Sequence, residues 1–184
     1  MTKEAVYSIM ISMKLTCGDE MFDRYLKPDF VFNTFLEITP EFLLEKGIEG
    51  LICDIDNTLV SYDDATPTED VLAWYEKLRA AQIKVSFVSN NKHGRVSKFN
   101  EELGLPAFAK SGKPNGRALR AAMEAMETGR EETAVLGDQL FTDVLAAKRV
   151  GLCAMIVFPI KDKKTPFVKC KRFLERQLMR RYTI

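Results

Sequence analysis

The chain holds one histidine, one tryptophan and four cysteines in 184 residues, and each scarcity removes a class of chemistry. A lone His93 cannot supply a histidine pair or a zinc cage, so mechanisms built on either are excluded. The cysteines (Cys17, Cys53, Cys153 and Cys170) form no C-x-x-C pair and show no metal-ligand spacing. Cys53 and Cys153 lie inside apolar runs and read as small core residues, a usage that suits a reducing, cytoplasmic compartment. No segment approaches the roughly 18 apolar residues of a membrane span. The apolar stretch Ala5–Ile11 is short, carries Ser8 and lacks a small-x-small cleavage site, which argues against a secretory signal. With Met10, Met13 and Met21 as alternative starts, residues 1–20 read as a disordered extension or as upstream of the true start. Residues 21–184 read as one domain, long enough to bury a core without staples.

The apolar (46%) and charged (29%) fractions are those of an ordinary globular protein. Charge is unevenly spread. From Lys161 onward nine Lys/Arg face only Asp162 and Glu175, a net of +7; since the whole chain is +1, residues 1–160 carry −6. A basic tail beside an acidic body follows.

From residue 50 the chain alternates strand-like and helix-like stretches. Leu51–Asp56, Lys84–Ser89, Ala107–Ala109, Thr133–Leu136 and Cys153–Phe158 read as strands, and Pro67–Ala81, Arg95–Leu103, Pro114–Met126 and Leu140–Arg149 as helices between them. Short connections between such elements imply right-handed crossovers and a mainly parallel sheet: a three-layer, Rossmann-like α/β sandwich. Ligands in such sheets sit beyond the carboxyl ends of the strands. Asp54, Asp56, Ser89, Asn90, Lys113 and Asp138 all fall at or just after such ends. The turn-rich Ser61–Thr66 reads as a flap over them.

Asp54 and Asp56, spaced i, i+2 at the end of an apolar strand, project to one side. Two adjacent carboxylates repel unless a hard cation lies between them. One can then attack an electrophile while the other handles the proton, which points to phosphoryl chemistry. His93, near Ser89 but with the carboxylate pair already offering a group for the proton, reads as a surface or substrate-edge residue.

Four segments in order resemble the haloacid-dehalogenase (HAD) superfamily of phosphatases over residues 50–158: Asp54-Ile55-Asp56-Asn57-Thr58 as D-x-D-x-T, Val85–Ser89 as an apolar strand ending in Ser, Lys113 as the required lysine, and Gly137-Asp138 with Asp143 as the terminal G-D-x-x-x-x-D. The resemblance implies Asp54 as nucleophile forming an aspartyl-phosphate, and Asp56 as the acid that protonates the leaving oxygen and then activates water. It implies Mg2+ held by the Asp54 carboxylate, the Asp56 backbone carbonyl and Asp138. Ser89 and the Asn90 backbone would donate to phosphoryl oxygens, and Lys113 would neutralise Asp54 and the phosphate. Lys110 competes for the lysine role; Ser111-Gly112 and Pro114 favour Lys113 by fixing where its side chain starts. Asp143 would orient Lys113 or a metal-bound water.

Only 30 residues separate Thr58 from Ser89 and 23 separate Ser89 from Lys113, which leaves no room for a cap domain. Leu26-Lys27-Pro28-Asp29, Asp54–Leu59 and the basic C-terminus are similar to the capless subfamily IIIA, YqeG-like branch. That branch is akin to the phosphatases acting on phosphatidylglycerophosphate, which implies a bulky lipid-phosphate substrate. In the tail, Phe167, Cys170, Leu174, Leu178 and Tyr182 share one helical stripe flanked by Lys171, Arg172, Arg176, Arg180 and Arg181. Such a helix either packs its stripe on the sheet or lies on an anionic membrane, on the inner face for a cytoplasmic protein; its charges also suit RNA. The rival functions are an RNA- or ribosome-assembly adaptor with weak phosphatase activity, and a small-metabolite phosphatase.

Overall fold

The computed structural model describes residues 19–161 together with residues 174, 175 and 178. The expected extension, apart from residues 19 and 20, and most of the basic terminal stripe lie outside the described residues. Within them run α1 (Asp19–Leu26), β1 (Phe30–Phe32), a 3-10 turn (Phe35–Glu37), α2 (Pro40–Glu45), β2 (Gly50–Cys53), α3 (Glu69–Ala80), β3 (Lys84–Val88), α4 (His93–Asn100), β4 (Ala107–Phe108), α5 (Arg117–Met126), β5 (Thr133–Gly137), a π turn (Leu140–Val144), α6 (Leu145–Val150) and β6 (Cys153–Val157).

The six strands form one sheet in the order β1-β6-β5-β2-β3-β4, every pair parallel. β2 and β5 are buried along their whole length, as central parallel strands covered on both faces must be. Alternation divides their side chains between two cores. Leu51, Cys53, Ala134, Leu136, Met155 and Val157 face one side with Trp74, Leu78, Val96 and Phe99; Ile52, Val135, Ala154 and Ile156 face the other with Leu119, Met123, Ala147 and Val150. Helices therefore cover both faces, giving the expected three-layer, Rossmann-like architecture. No domain interrupts the connections after β2 and β3 among the described residues. No helix among them is long and apolar enough to cross a membrane.

Register positions the chemistry. Cys53 pairs with Phe87 of β3 and Leu136 of β5, so these strands end side by side. Asp54, Ser89 and Asp138 each follow one of those ends.

Several boundaries differ from the sequence reading. The helix expected from Pro114 starts at Arg117, because a turn from Gly112 to Asn115 precedes it and the Asn115 carboxamide oxygen accepts from Arg117 N–H at 3.0 Å. The helix expected over Leu140–Arg149 opens with a π turn, in which the N–H groups of Asp143 and Val144 both donate to Gln139 C=O. The segment before residue 50 contributes a further edge strand, β1, pinned by Asp29. Asp29 Oδ2 accepts from the buried Ala154 N–H at 2.7 Å, and its Oδ1 pairs with Lys148 at 2.5 Å. At the far end, Leu178 packs against the second core, and the buried Glu175 accepts from Phe141 N–H at 3.3 Å.

Replacing Asp29 with Ala strips the acceptor from a buried strand N–H, a loss of about 1–3 kcal/mol. For a chain of this size that lowers the melting temperature by roughly 2–12 °C, read by thermal denaturation.

Candidate active site

Three carboxylates and one ammonium meet where β2, β3 and β5 end. Lys113 is buried, with Nζ 2.9 Å from Asp54 Oδ1, 2.7 Å from Asp143 Oδ1 and donating to Val88 C=O at 2.6 Å. Lys110, the rival, is exposed and lines a neighbouring cleft instead. Burial works against the Lys113 charge, but Asp143 and Asp54 more than offset it and hold its pKa above the ordinary lysine value. Burial raises Asp54 to about 7; Lys113 opposes the rise, while Asp143 and Asp138 reinforce it.

Oxygens of Asp54, Asp138 and Asp143 all lie within 4.8 Å of one another, and all three residues are buried. Hard oxygen donors crowded this closely fit a divalent cation, which would supply the positive charge that a single lysine leaves short.

Local structure explains each placement. A Cβ built on Gly137 would sit 2.3 Å from Asp143 Cβ and Cγ, so only glycine lets that side chain lie across the strand end. The π turn brings Asp143 back over Gly137, and its Oδ2 accepts from Gln139 N–H and the Thr142 hydroxyl, both at 3.2 Å. Asn90 clamps the lysine loop: its Oδ1 accepts from Lys113 N–H and the Ser111 hydroxyl, both at 2.8 Å, and its Nδ2 donates to Lys113 C=O at 3.2 Å. The side chain of Asn90 thus positions Lys113, a use beyond the backbone donation expected of it. Ser89 is buried, and its Oγ accepts from Asn91 N–H at 3.2 Å, which leaves the hydroxyl proton to donate elsewhere.

Asp56 has partners that sequence reasoning missed. Arg95 Nε donates to Asp56 Oδ1 at 3.0 Å with a second guanidinium nitrogen 2.9 Å away, and Asn91 Nδ2 donates to Oδ2 at 2.9 Å. Arg95 also donates to Ala65 C=O at 2.8 Å, tying the acid to the Ser61–Thr66 loop, and Tyr62 of that loop lines the pocket. The proximity of Asn91 to Ser89 was a usable signal. Nothing in the spacing pointed to Arg95, 39 residues from the carboxylate it holds.

The pocket has a volume of about 270 Å³. Asp54, Asp56, Ser89, Asn90, Lys113 and Asp143 line it, while Asp138 joins through the carboxylate cluster. His93 is exposed and outside the lining.

A family model described as haloacid dehalogenase-like hydrolase matches residues 18–151. The chain belongs to the haloacid dehalogenase-like hydrolases, and within them it is a phosphatase. It is 38% identical over 159 residues to the probable phosphatase YqeG of Bacillus subtilis (strain 168), covering 86% of this chain and 92% of that protein. A shorter match, 44% identical over 46 residues, spans 25% of this chain and 18% of the ribonucleotide monophosphatase NagD of Escherichia coli (strain K12). The fold is also that of the cobalt-bound deoxy-D-mannose-octulosonate 8-phosphate phosphatase from Haemophilus influenzae, at TM-score 0.50 and 16% identity over 74% of this chain and 90% of that one.

Two outcomes follow for cation binding. Asp54 keeps a proton in the folded chain between its ordinary value of 3.8 and about 7, and a cation must displace it. Affinity for a divalent cation, titrated calorimetrically with magnesium as the probe, therefore rises by up to about tenfold per pH unit toward 7 and levels off above. Gly137→Ala displaces Asp143 and weakens the same binding roughly 10–100-fold, a loss measurable at pH 8.

Proposed function

We propose that this phosphatase hydrolyses a phosphomonoester through an aspartyl-phosphate on Asp54, with Mg2+ as its cation and phosphatidylglycerophosphate as its substrate. The observation that carries the reading is Lys113 Nζ held 2.9 Å from Asp54 and 2.7 Å from Asp143, beside Asp138, at the mouth of the sheet. The Asp54 carboxylate attacks phosphorus and the bond to the leaving oxygen breaks, while the Asp56 carboxylic acid gives that oxygen its proton. Asp56, now a carboxylate, takes a proton from water, whose oxygen attacks the phospho-Asp54 and releases inorganic phosphate. Ser89 Oγ and Asn90 N–H donate to the phosphoryl oxygens, and the Lys113 ammonium balances their charge. The Asp54 carboxylate, Asp56 C=O and Asp138 would hold Mg2+, which neutralises charge on the transferring phosphate and orients it.

Asp56 enters this cycle held by Arg95 and Asn91. These contacts fix where the Asp56 carboxyl group points, and Arg95 ties that direction to the Ser61–Thr66 loop.

Substrate size is argued from the same frame. With no domain inserted after β2 or β3, a bulky group can reach the pocket and itself shield the reaction from water. The excess of Lys and Arg after Lys161 suits a chain working at the anionic inner face of a membrane. The match to a ribonucleotide monophosphatase over 46 residues makes nucleotides the natural competitor.

The test is phosphate released from phosphatidylglycerophosphate in mixed micelles, nucleotides, sugar phosphates, phosphopeptides and an aryl phosphate, with Mg2+ or chelator. Asp54→Asn and Asp56→Asn each lower turnover at least about 10³-fold, and chelator abolishes it. Phosphatidylglycerophosphate turned over no faster than sugar phosphates would remove the lipid assignment, and wild-type rates from either variant would remove the mechanism.

A further inference from the structure

Next to the active pocket lies a second cleft of about 840 Å³, and the two share Asn90 and Lys113 as a common wall. Its remaining charged lining is Lys110, Arg120 and Arg149, with no Asp or Glu. In a chain whose first 160 residues carry −6, a cleft furnished only with cations is not what an average surface supplies.

These cations come from three separate segments: the loop after β4, the first turns of α5 and the end of α6. The Lys110 backbone is fixed there at φ 48°, with its N–H donating to Asn91 C=O at 2.8 Å. A built Cβ on Gly116 would sit 2.2 Å from Val150 Cγ2, so the start of α5 approaches the end of α6 at van der Waals limits, bringing Arg120 and Arg149 to one cleft. Arg79, Lys98 and Lys148, elsewhere on the molecule, are paired with carboxylates at 2.5–2.7 Å. Among the described residues Lys110, Arg120 and Arg149 make no ion pair; Arg149 makes only a 3.5 Å bond to Pro114 C=O.

We propose that this cleft is an anion subsite that binds a second phosphate of the substrate, so that the enzyme selects phosphomonoesters bearing another phosphate or phosphodiester group. The inference rests on the reading that the phosphoryl group to be cleaved sits at Asp54. A guanidinium pair and an ammonium suit phosphate oxygens, and exposure lets them exchange water for the ligand cheaply.

The experiment compares four substrates with Mg2+: an aryl phosphate, 3-hydroxypropyl phosphate, 1,3-propanediol bisphosphate and short-chain phosphatidylglycerophosphate. Wild type prefers the last two over hydroxypropyl phosphate at least about tenfold in kcat/KM. The double variant Arg120→Ala/Arg149→Ala loses that preference through KM, while kcat and aryl phosphate hydrolysis stay within about twofold. A greater preference for the lipid than for the bisphosphate assigns a phosphodiester to the cleft; the reverse assigns a soluble bisphosphate. Absence of any preference in wild type, or equal losses on all four substrates, overturns the subsite. Binding of the non-hydrolysable propane-1,3-bisphosphonate against propylphosphonate, measured calorimetrically on wild type and the double variant, judges the subsite separately. A failed phosphatase reading would silence the turnover assay yet leave that calorimetric difference, at least about tenfold in wild type and lost in the variant, whereas equal affinities sink the subsite.

Discussion

One buried cation holds the site together. Lys113 lies between Asp54 and Asp143 and also donates to Val88 C=O, so its ammonium ties the ends of β2 and β3 to the turn that follows β5. Burying three carboxylates around one ammonium is a poor way to gain stability, because desolvation outruns the Coulombic return. The chain nonetheless devotes several local features to this arrangement. Gly137 gives up a side chain so that Asp143 can lie across the strand end, the π turn brings Asp143 back, and the Asn90 carboxamide fixes both backbone groups of Lys113. Such a cluster makes physical sense when a divalent cation supplies the positive charge it lacks.

Much of this was legible in the sequence because parallel strands put their chemistry in a predictable place. An apolar run followed by a carboxylate specifies both a buried strand and a group at its carboxyl end, and Asp54 and Asp138 were readable on that ground. The Gly137-to-Asp143 interval was readable only as a pattern. Its physical content, a close approach between a glycine and a side chain six residues on, needs a turn wider than an α-helix, which a 3.6-residue period cannot reveal. The segment before residue 50 stayed silent for a different reason. β1 is three residues of half-buried phenylalanine and valine, too short to show alternation, and it joins the sheet because Asp29 bonds a strand N–H 125 residues away.

Arg95 marks the limit of spacing arguments. A long side chain on an exposed helix start is ordinarily solvated charge, and the local sequence offers nothing to overrule that expectation. In the fold it lies 5.7 Å from the centroid of the Phe99 ring, reaches Asp56, and caps Ala65 C=O in the loop above the pocket. The Asp56 carboxylate and the position of that loop are thereby linked through one guanidinium, a coupling that only three-dimensional proximity creates.

Two kinds of electrostatics then divide the work. Inside the pocket, low dielectric makes each charge expensive and effective, enough to raise Asp54 to about 7 with Lys113 alongside. In the adjoining cleft the cations are exposed, so each attracts an anion weakly and salt screens it. Weak, separable contacts discriminate between substrates without altering the reacting groups, whereas strong buried ones set reactivity and tolerate little variation. Recognition by Lys110, Arg120 and Arg149 can therefore be altered without disturbing the Asp54–Lys113–Asp143 arrangement, whereas loss of Lys113 leaves buried carboxylates without their counter-charge.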